Sequence, residues 1–351
     1  MFQELKEIYK YFEDDESREI FKNRLLYGLT GDWKYLKEML LYYHQPDKGY
    51  ADLLDVLAKP EEFRGKKIIL FGTSVWGWAV ARWFNICQVE YFAFCDNNPN
   101  KVGQECCGKK IISAEELFRD HRDAMIAIAT EKYEHEILAQ LRQEQVPEEQ
   151  IIRLSFSKDK MYIDDRIMKP IEDEIFIDGG CYDGESSFDF INWANGKVKK
   201  VYAFEPDGKN FSLCEKNFTE KCKVDYRLLP FGLWSEKTTL KFAGDAGVGS
   251  RVGESENSVE IKTASIDETV GDDKVTFIKL DVEGAELETL KGAAGTIRKH
   301  KPRLAVCLYH KPEDIVEIPK YIKKLVPEYK LYIKHYYPYV FDTVLYAVID
   351  E

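Results

Sequence analysis

Apolar residues recur at helical spacing through the start of the chain and then give way to short apolar runs. Phe2, Leu5, Ile8, Tyr9 and Phe12 fall on one helical stripe, and Leu36, Met39, Leu40 and Tyr43 on another. Between them Glu13-Asp14-Asp15-Glu16 reads as a helix break and a fresh N-terminus, where carboxylates suit the helix dipole. Residues 1–64 are expected to form a helical cap, and are the region through which a homo-oligomer would form.

From Gly65 the period changes. Lys67-Ile68-Ile69-Leu70-Phe71-Gly72 is a buried strand entering a turn. A helix over 76–84, a strand over Tyr91–Asp96, the turn Asn97–Asn100, a strand over Ala124–Ala129 and a helix over 133–143 follow. The pattern predicts a small Rossmann-like unit over 65–156. The polar stretch Ser155–Lys160 opens a linker, 157–172, that closes near Pro170. Beyond it, strands near 175–178, 200–205, 224–229, 275–281 and 303–309 alternate with helices. Thr238 to Ala264 alternates with period two and carries Gly244, Gly247, Gly249 and Gly253, which predicts a β-excursion. Tyr329–Ile333 and Val344–Ile349 read as an antiparallel hairpin at one sheet edge. The fold class expected is α/β: a Rossmann-like sheet over 173–351, preceded by a smaller α/β unit and a helical segment.

A chain of 351 residues is long enough for two or three domains, and 44% hydrophobic residues suffice for packed cores. The net charge of −12 argues against a general nucleic-acid binder, which must neutralise phosphates. The lysine runs Lys197-Val198-Lys199-Lys200 and Lys320 to Lys324 read as solvated faces. The eight cysteines form no Cys-x-x-Cys pair and no cluster of zinc spacing. With no secretory leader and no apolar run of the roughly 20 residues a span requires, a reducing cytoplasm is the expected compartment.

The chemistry lies in Glu174-Ile175-Phe176-Ile177-Asp178-Gly179-Gly180-Cys181-Tyr182-Asp183-Gly184 and in Val201-Tyr202-Ala203-Phe204-Glu205-Pro206. A strand, a glycine-rich turn, a helix and a second strand ending in an acid is how α/β folds hold an adenosine moiety. The glycines allow close backbone approach to a ligand, and Glu205 is placed to accept ribose hydroxyls. Ser186 and Ser187 are placed to cap the helix or to bond a ligand carboxylate. A third strand, Phe277-Ile278-Lys279-Leu280, ends in Asp281-Val282-Glu283, so three carboxylates face one crevice. Asp183 in the turn would repel a pyrophosphate and suits a cationic donor, which favours methyl transfer over hydride transfer.

Residues 173 to about 350 resemble the FkbM family of S-adenosylmethionine-dependent methyltransferases. Ile177 to Gly184, Ala203-Phe204-Glu205-Pro206, Ile278 to Glu286 and Leu290-Lys291-Gly292-Ala293 carry the resemblance, in order, over about half the chain. Where many methyltransferases place a glycine in mid-turn, this chain has Tyr182. The resemblance implies a seven-stranded sheet with the donor across its first, second and fourth strands, and O-methylation of a sugar, glycan or related natural product. The donor set expected is Asp178, Gly179, Gly180, Tyr182, Asp183, Gly184, Ser186, Glu205, Pro206 and Asp281.

For the proton that the acceptor hydroxyl must lose, His310 at the end of Leu304–Tyr309 is one candidate base, and Asp281 and Glu283 compete. Lys279 would orient the acceptor or neutralise the acids. A metal-free site is expected, with a divalent ion on Asp281 and Glu283 as the alternative. The turn Gly72-Thr73-Ser74-Val75-Trp76-Gly77 with Asp96 is either a second nucleotide site or plain scaffold. Two other readings stay open: a nicotinamide-dependent oxidoreductase or epimerase of nucleotide-sugars, and a non-catalytic binding module.

Overall fold

The computed structural model of the chain describes residues 2–45, 49–154, 161–243, 251–252, 258–336 and 338–349. Within them, strands collect into two seven-stranded sheets and one four-stranded sheet. The polar stretch 155–160 and the excursion's Gly244, Gly247, Gly249 and Gly253 lie outside the described residues. On either side of those glycines, Thr239–Ala243 pairs antiparallel with Ser258–Ala264, as the alternation predicts.

The chain divides into two units. One holds Met1–Gly28, Asp159–His335 and Val340–Glu351, the other Leu29–Lys158 and Tyr336–Tyr339. The helical stretch expected over 1–64 is therefore shared between them. The acidic run explains why its first part joins the larger unit. Asp14 and Glu16 lie 3.0 and 2.6 Å from the ammonium of Lys334, which is buried. Ser17 exchanges hydrogen bonds with the backbone of Ile333, and Phe12 forms a parallel bridge with Leu331. Acids read as serving a helix dipole thus also balance a buried cation.

In the smaller unit, Ile68–Phe71 sits between Met125–Ile128 and Ala93–Cys95, all parallel and buried. The helix Val75–Ile86 buries Trp76 and Trp83, while Trp78 stays partly exposed.

In the larger unit, β1 (Glu174–Gly179) leads to α1 (Glu185–Ala194), β2 (Val198–Phe204), α2 (Gly208–Lys221) and β3 (Asp225–Leu229). Then come β4 (Phe277–Leu280), α3 (Glu286–Lys291), α4 (Ala294–His300), β5 (Arg303–Cys307), α5 (Asp314–Leu325), β6 (Lys330–His335) and β7 (Thr343–Val348). The sheet order is β3-β2-β1-β4-β5-β7-β6, with β7 antiparallel to both neighbours and the other pairs parallel. Every residue of β1 and β4 is buried, as expected of central strands covered on both faces. Phe190 of α1 stacks on Phe176 of β1 at 4.0 Å, which seats the helix on the sheet. The chain leaves β1 for β2 on one side, while β4 lies on the other, so the crevice at their carboxyl ends is the ligand-binding switch point of such a fold.

Candidate active site

The register sets Asp178 of β1 directly opposite Lys279 of β4. The two side chains are 0% and 2% exposed, and Lys279 Nζ lies 3.0 Å from Asp178 Oδ1. The same ammonium donates to the carbonyls of Gly179 and Gly180 at 3.1 and 2.7 Å. Burial opposes its charge, but Asp178 and Asp281 outweigh burial and raise its pKa. Of the two roles expected of Lys279, orienting the acceptor or neutralising the acids, its position matches the second: the ammonium faces Asp178 and stitches the turn to β4. The expectation for Ser186 and Ser187 is corrected. Both hydroxyls donate to Asp178 Oδ2, at 2.7 and 2.6 Å, and neither caps α1, whose N-cap is Gly184.

The turn's glycines have packing reasons of their own. A Cβ on Gly180 would stand 1.9 Å from the carbonyl oxygen of Asp281, and one on Gly184 would stand 2.8 Å from the Phe218 ring. Both have positive φ, 76° and 90°. The close approach they permit is to the chain itself, where the sequence pointed to a ligand. Asp183 turns inward on its own loop, accepting from the Glu185 N–H at 3.1 Å.

At the end of β2, Glu205 is buried and, among the described residues, accepts only backbone donors, Tyr182 N–H on Oε2 at 3.0 Å and Asp207 N–H on Oε1 at 2.9 Å. Burial raises its pKa, and those two N–H groups partly offset this. The carboxylate is thus oriented through one edge, with lone pairs left for hydroxyl donors. Tyr182, held at φ 53°, presents a half-exposed ring beside it, and Pro206 follows directly.

Past β4 and β5, Asp281 accepts from Tyr162 on Oδ2 at 2.7 Å and from Tyr309 on Oδ1 at 2.8 Å. Burial would raise the Asp281 carboxyl, but Lys279, His310 and the two hydroxyls hold it below its usual range. His310 lies 3.5 Å from Asp281, 3.5 Å from Glu283 and 2.7 Å from Glu286. Burial would lower its pKa, yet those carboxylates raise it to about 9. The three carboxylates around it favour the protonated ring, which works against the expected role of His310 as a neutral base. Asp281 and Glu283 are the carboxylates nearest His310 Nε2.

Residues 178–330 match the model of the methyltransferase FkbM domain. Over that span the chain is similar to FkbM methyltransferases. A crystal structure of methyltransferase FkbM from Methylobacillus flagellatus KT has the same fold, with a TM-score of 0.50 at 18% identity, over 92% of this chain and 100% of that one. Hexuronic acid methyltransferase AglP of Haloferax volcanii is 31% identical over 165 residues. That match spans 46% of this chain and 64% of AglP. Residues 64–152 match a second model, the C2185-like N-terminal domain.

Three residues of the FkbM domain's crevice escaped the sequence reading. Tyr162 comes from the expected linker, where nothing in spacing announces it. Tyr309 and Glu286 adjoin residues that were singled out, and an acid four residues into the stretch after Val282 was their best available signal. In the smaller unit, Gly72 and Gly77 also serve packing. Their Cβ atoms would meet the Ala129 carbonyl oxygen at 2.7 Å and the Gly72 carbonyl oxygen at 2.3 Å. Asp96 there is taken by Thr73 and by Lys101 at 3.2 Å.

Proposed function

We propose that this chain is an S-adenosylmethionine-dependent methyltransferase acting on a hydroxyl of a sugar or related glycan-like acceptor. The observation that carries the reading is Glu205, a buried carboxylate oriented by Tyr182 and Asp207 at the end of β2, beside a turn that bears Asp183. That donor set fits a cationic adenosyl ligand: Glu205 would hold its ribose hydroxyls, and Asp178, Gly179, Gly180, Tyr182, Asp183, Gly184, Ser186, Pro206 and Asp281 would shape or line its crevice. When bound, S-adenosylmethionine supplies an activated methyl group. The name of AglP, a hexuronic acid methyltransferase, supports a carbohydrate acceptor.

The chain's own part is orientation and proton handling. Holding two reactants in line supplies about 7–11 kcal/mol of a barrier at best. Asp281 or Glu283 takes the hydroxyl proton, and Tyr162 and Tyr309 hold Asp281 in place. We read 65–156 as an accessory α/β domain joined through 157–172 to the catalytic region 173–351. No described helix is long and apolar enough to cross a membrane, in keeping with a cytoplasmic enzyme.

Calorimetric titration with S-adenosylmethionine, beside a Glu205→Ala variant and an NAD control, tests the reading. Binding by wild type, at least tenfold weaker in the variant, is expected. Preference for NAD, or donor affinity indifferent to Glu205, would sink it.

A further inference from the structure

His310 sits among acids without being properly hydrogen-bonded to any of them. Its side chain is 9% exposed. Nδ1 is buried and lies 2.7 Å from Glu286 Oε1, yet out of line for a hydrogen bond. Nε2 lies 3.5 Å from both Asp281 Oδ1 and Glu283 Oε2, beyond the usual hydrogen-bond range of about 2.7–3.2 Å. Two ligands about 2.1 Å from one ion, at angles of roughly 90–110°, stand ~3.0–3.4 Å apart. One ring nitrogen alone can meet an ion, and the 3.5 Å from Nε2 to Asp281 Oδ1 lies close to that spacing.

Glu286 gives a second, separate sign. Its side chain is 0% exposed. Oε1 accepts from Val282 N–H at 3.0 Å and Gly284 N–H at 3.4 Å, while Oε2 has no hydrogen-bond partner among the described residues. A buried carboxylate oxygen left bare is costly, and native folds tolerate one mainly where something else completes it. Ligand atoms of Asp281, Glu286 and His310 all lie within 4.8 Å of one another. Asp281 is further braced by the hydroxyls of Tyr162 and Tyr309, the kind of outer support that orients ligating carboxylates. The ammonium of Lys279, which acts on Asp281, is engaged by Asp178 and two carbonyls.

We propose that Asp281, Glu286 and His310 form a binding site for a divalent transition-metal ion, with Glu283 at its rim. One imidazole and two carboxylates suit Mn2+, Fe2+ or Zn2+ better than Mg2+ or Ca2+, which prefer oxygen alone. The ion displaces the proton from the ligating His310 nitrogen to solvent. Its catalytic use rests on the methyl-transfer reading: an acceptor hydroxyl bound to the ion is more acidic, and its proton passes to Glu283. The existence of the site does not rest on that reading.

The test uses the full chain, stripped with a chelator and titrated with Mn2+ while the paramagnetic resonance signal of free Mn2+ is followed. One equivalent should be taken up, and His310→Ala and Glu286→Gln should each weaken uptake at least tenfold with the wild-type circular dichroism retained. Pulsed resonance on the wild-type complex, which needs no variant, should show nitrogen modulation from the imidazole. No uptake at millimolar Mn2+, or bound Mn2+ without nitrogen modulation, overturns the site. A donor titration on the same samples separates the two readings. Donor binding without Mn2+ uptake removes only the metal. Mn2+ uptake without donor binding removes only the methyl transfer.

Discussion

Lys279→Met is the most informative single change, because its cost follows from three measured features. The ion pair with Asp178 is wholly buried, the partner carboxylate is 0% exposed, and the ammonium also serves two backbone carbonyls. Methionine fills most of the same space, so the loss is chiefly electrostatic. Breaking a buried pair from one side leaves an uncompensated charge and costs about 3–5 kcal/mol. For a unit of roughly 150–250 residues, each kcal/mol shifts Tm by about 2–4 °C, so scanning calorimetry should show a drop of roughly 6–20 °C. On an Asp178→Asn background the facing carboxylate of the pair is gone, and the same substitution should cost less, with a coupling near 2 kcal/mol. A Tm change under about 3 °C would refute the reasoning, as would equal losses on both backgrounds. Either result would return Lys279 to the list of groups free to meet an acceptor.

Other outcomes follow from the same geometry. In chelator, His310 contributes stability as a cation: its folded pKa of about 9 lies above the ordinary 6.5, so the contribution is full below about pH 6.5 and is lost as pH rises through 9. Denaturant titrations from pH 6 to 10 should show wild type losing its margin over His310→Gln across that window, by about 3 kcal/mol at most. Gly180→Ala should destabilise the fold by several kcal/mol, because the new Cβ meets backbone at 1.9 Å; Gly196→Ala, also at positive φ but in open space, should cost only about 1–2 kcal/mol by the same denaturant assay. Under native conditions a thiol reagent should modify the exposed Cys107 first, and reach Cys87, Cys95, Cys181, Cys214 and Cys307 only on unfolding; fast modification of Cys181 would mean that the turn opens.

Much of the fold was written locally. Apolar runs ending in acids marked β1, β2 and β4, and one ending in His310 marked β5, because a strand buried on both faces leaves a continuous apolar signature whatever it later packs against. The two terminal strands and the turn after β1 were legible for the same reason, and the acids at the strand ends stood out because their charge breaks an apolar run. What the acids do was not legible. Asp178, Asp281 and Glu205 look alike as strand-end carboxylates, yet one is neutralised by Lys279, one is braced by two tyrosines and a histidine, and one is held by backbone N–H groups. Those partners lie between 2 and 119 positions away in the chain. Spacing carries no information on them, since strand order and register choose which side chains meet. By itself the sequence determined the strands, the turn and the resemblance to FkbM methyltransferases. Only the tertiary structure decided that Lys279 and the serines are spent on Asp178, that His310 sits against three carboxylates, and that Glu286 has an oxygen to spare. Protonation and ligand capacity depend on neighbours in space, and the fold alone supplies those.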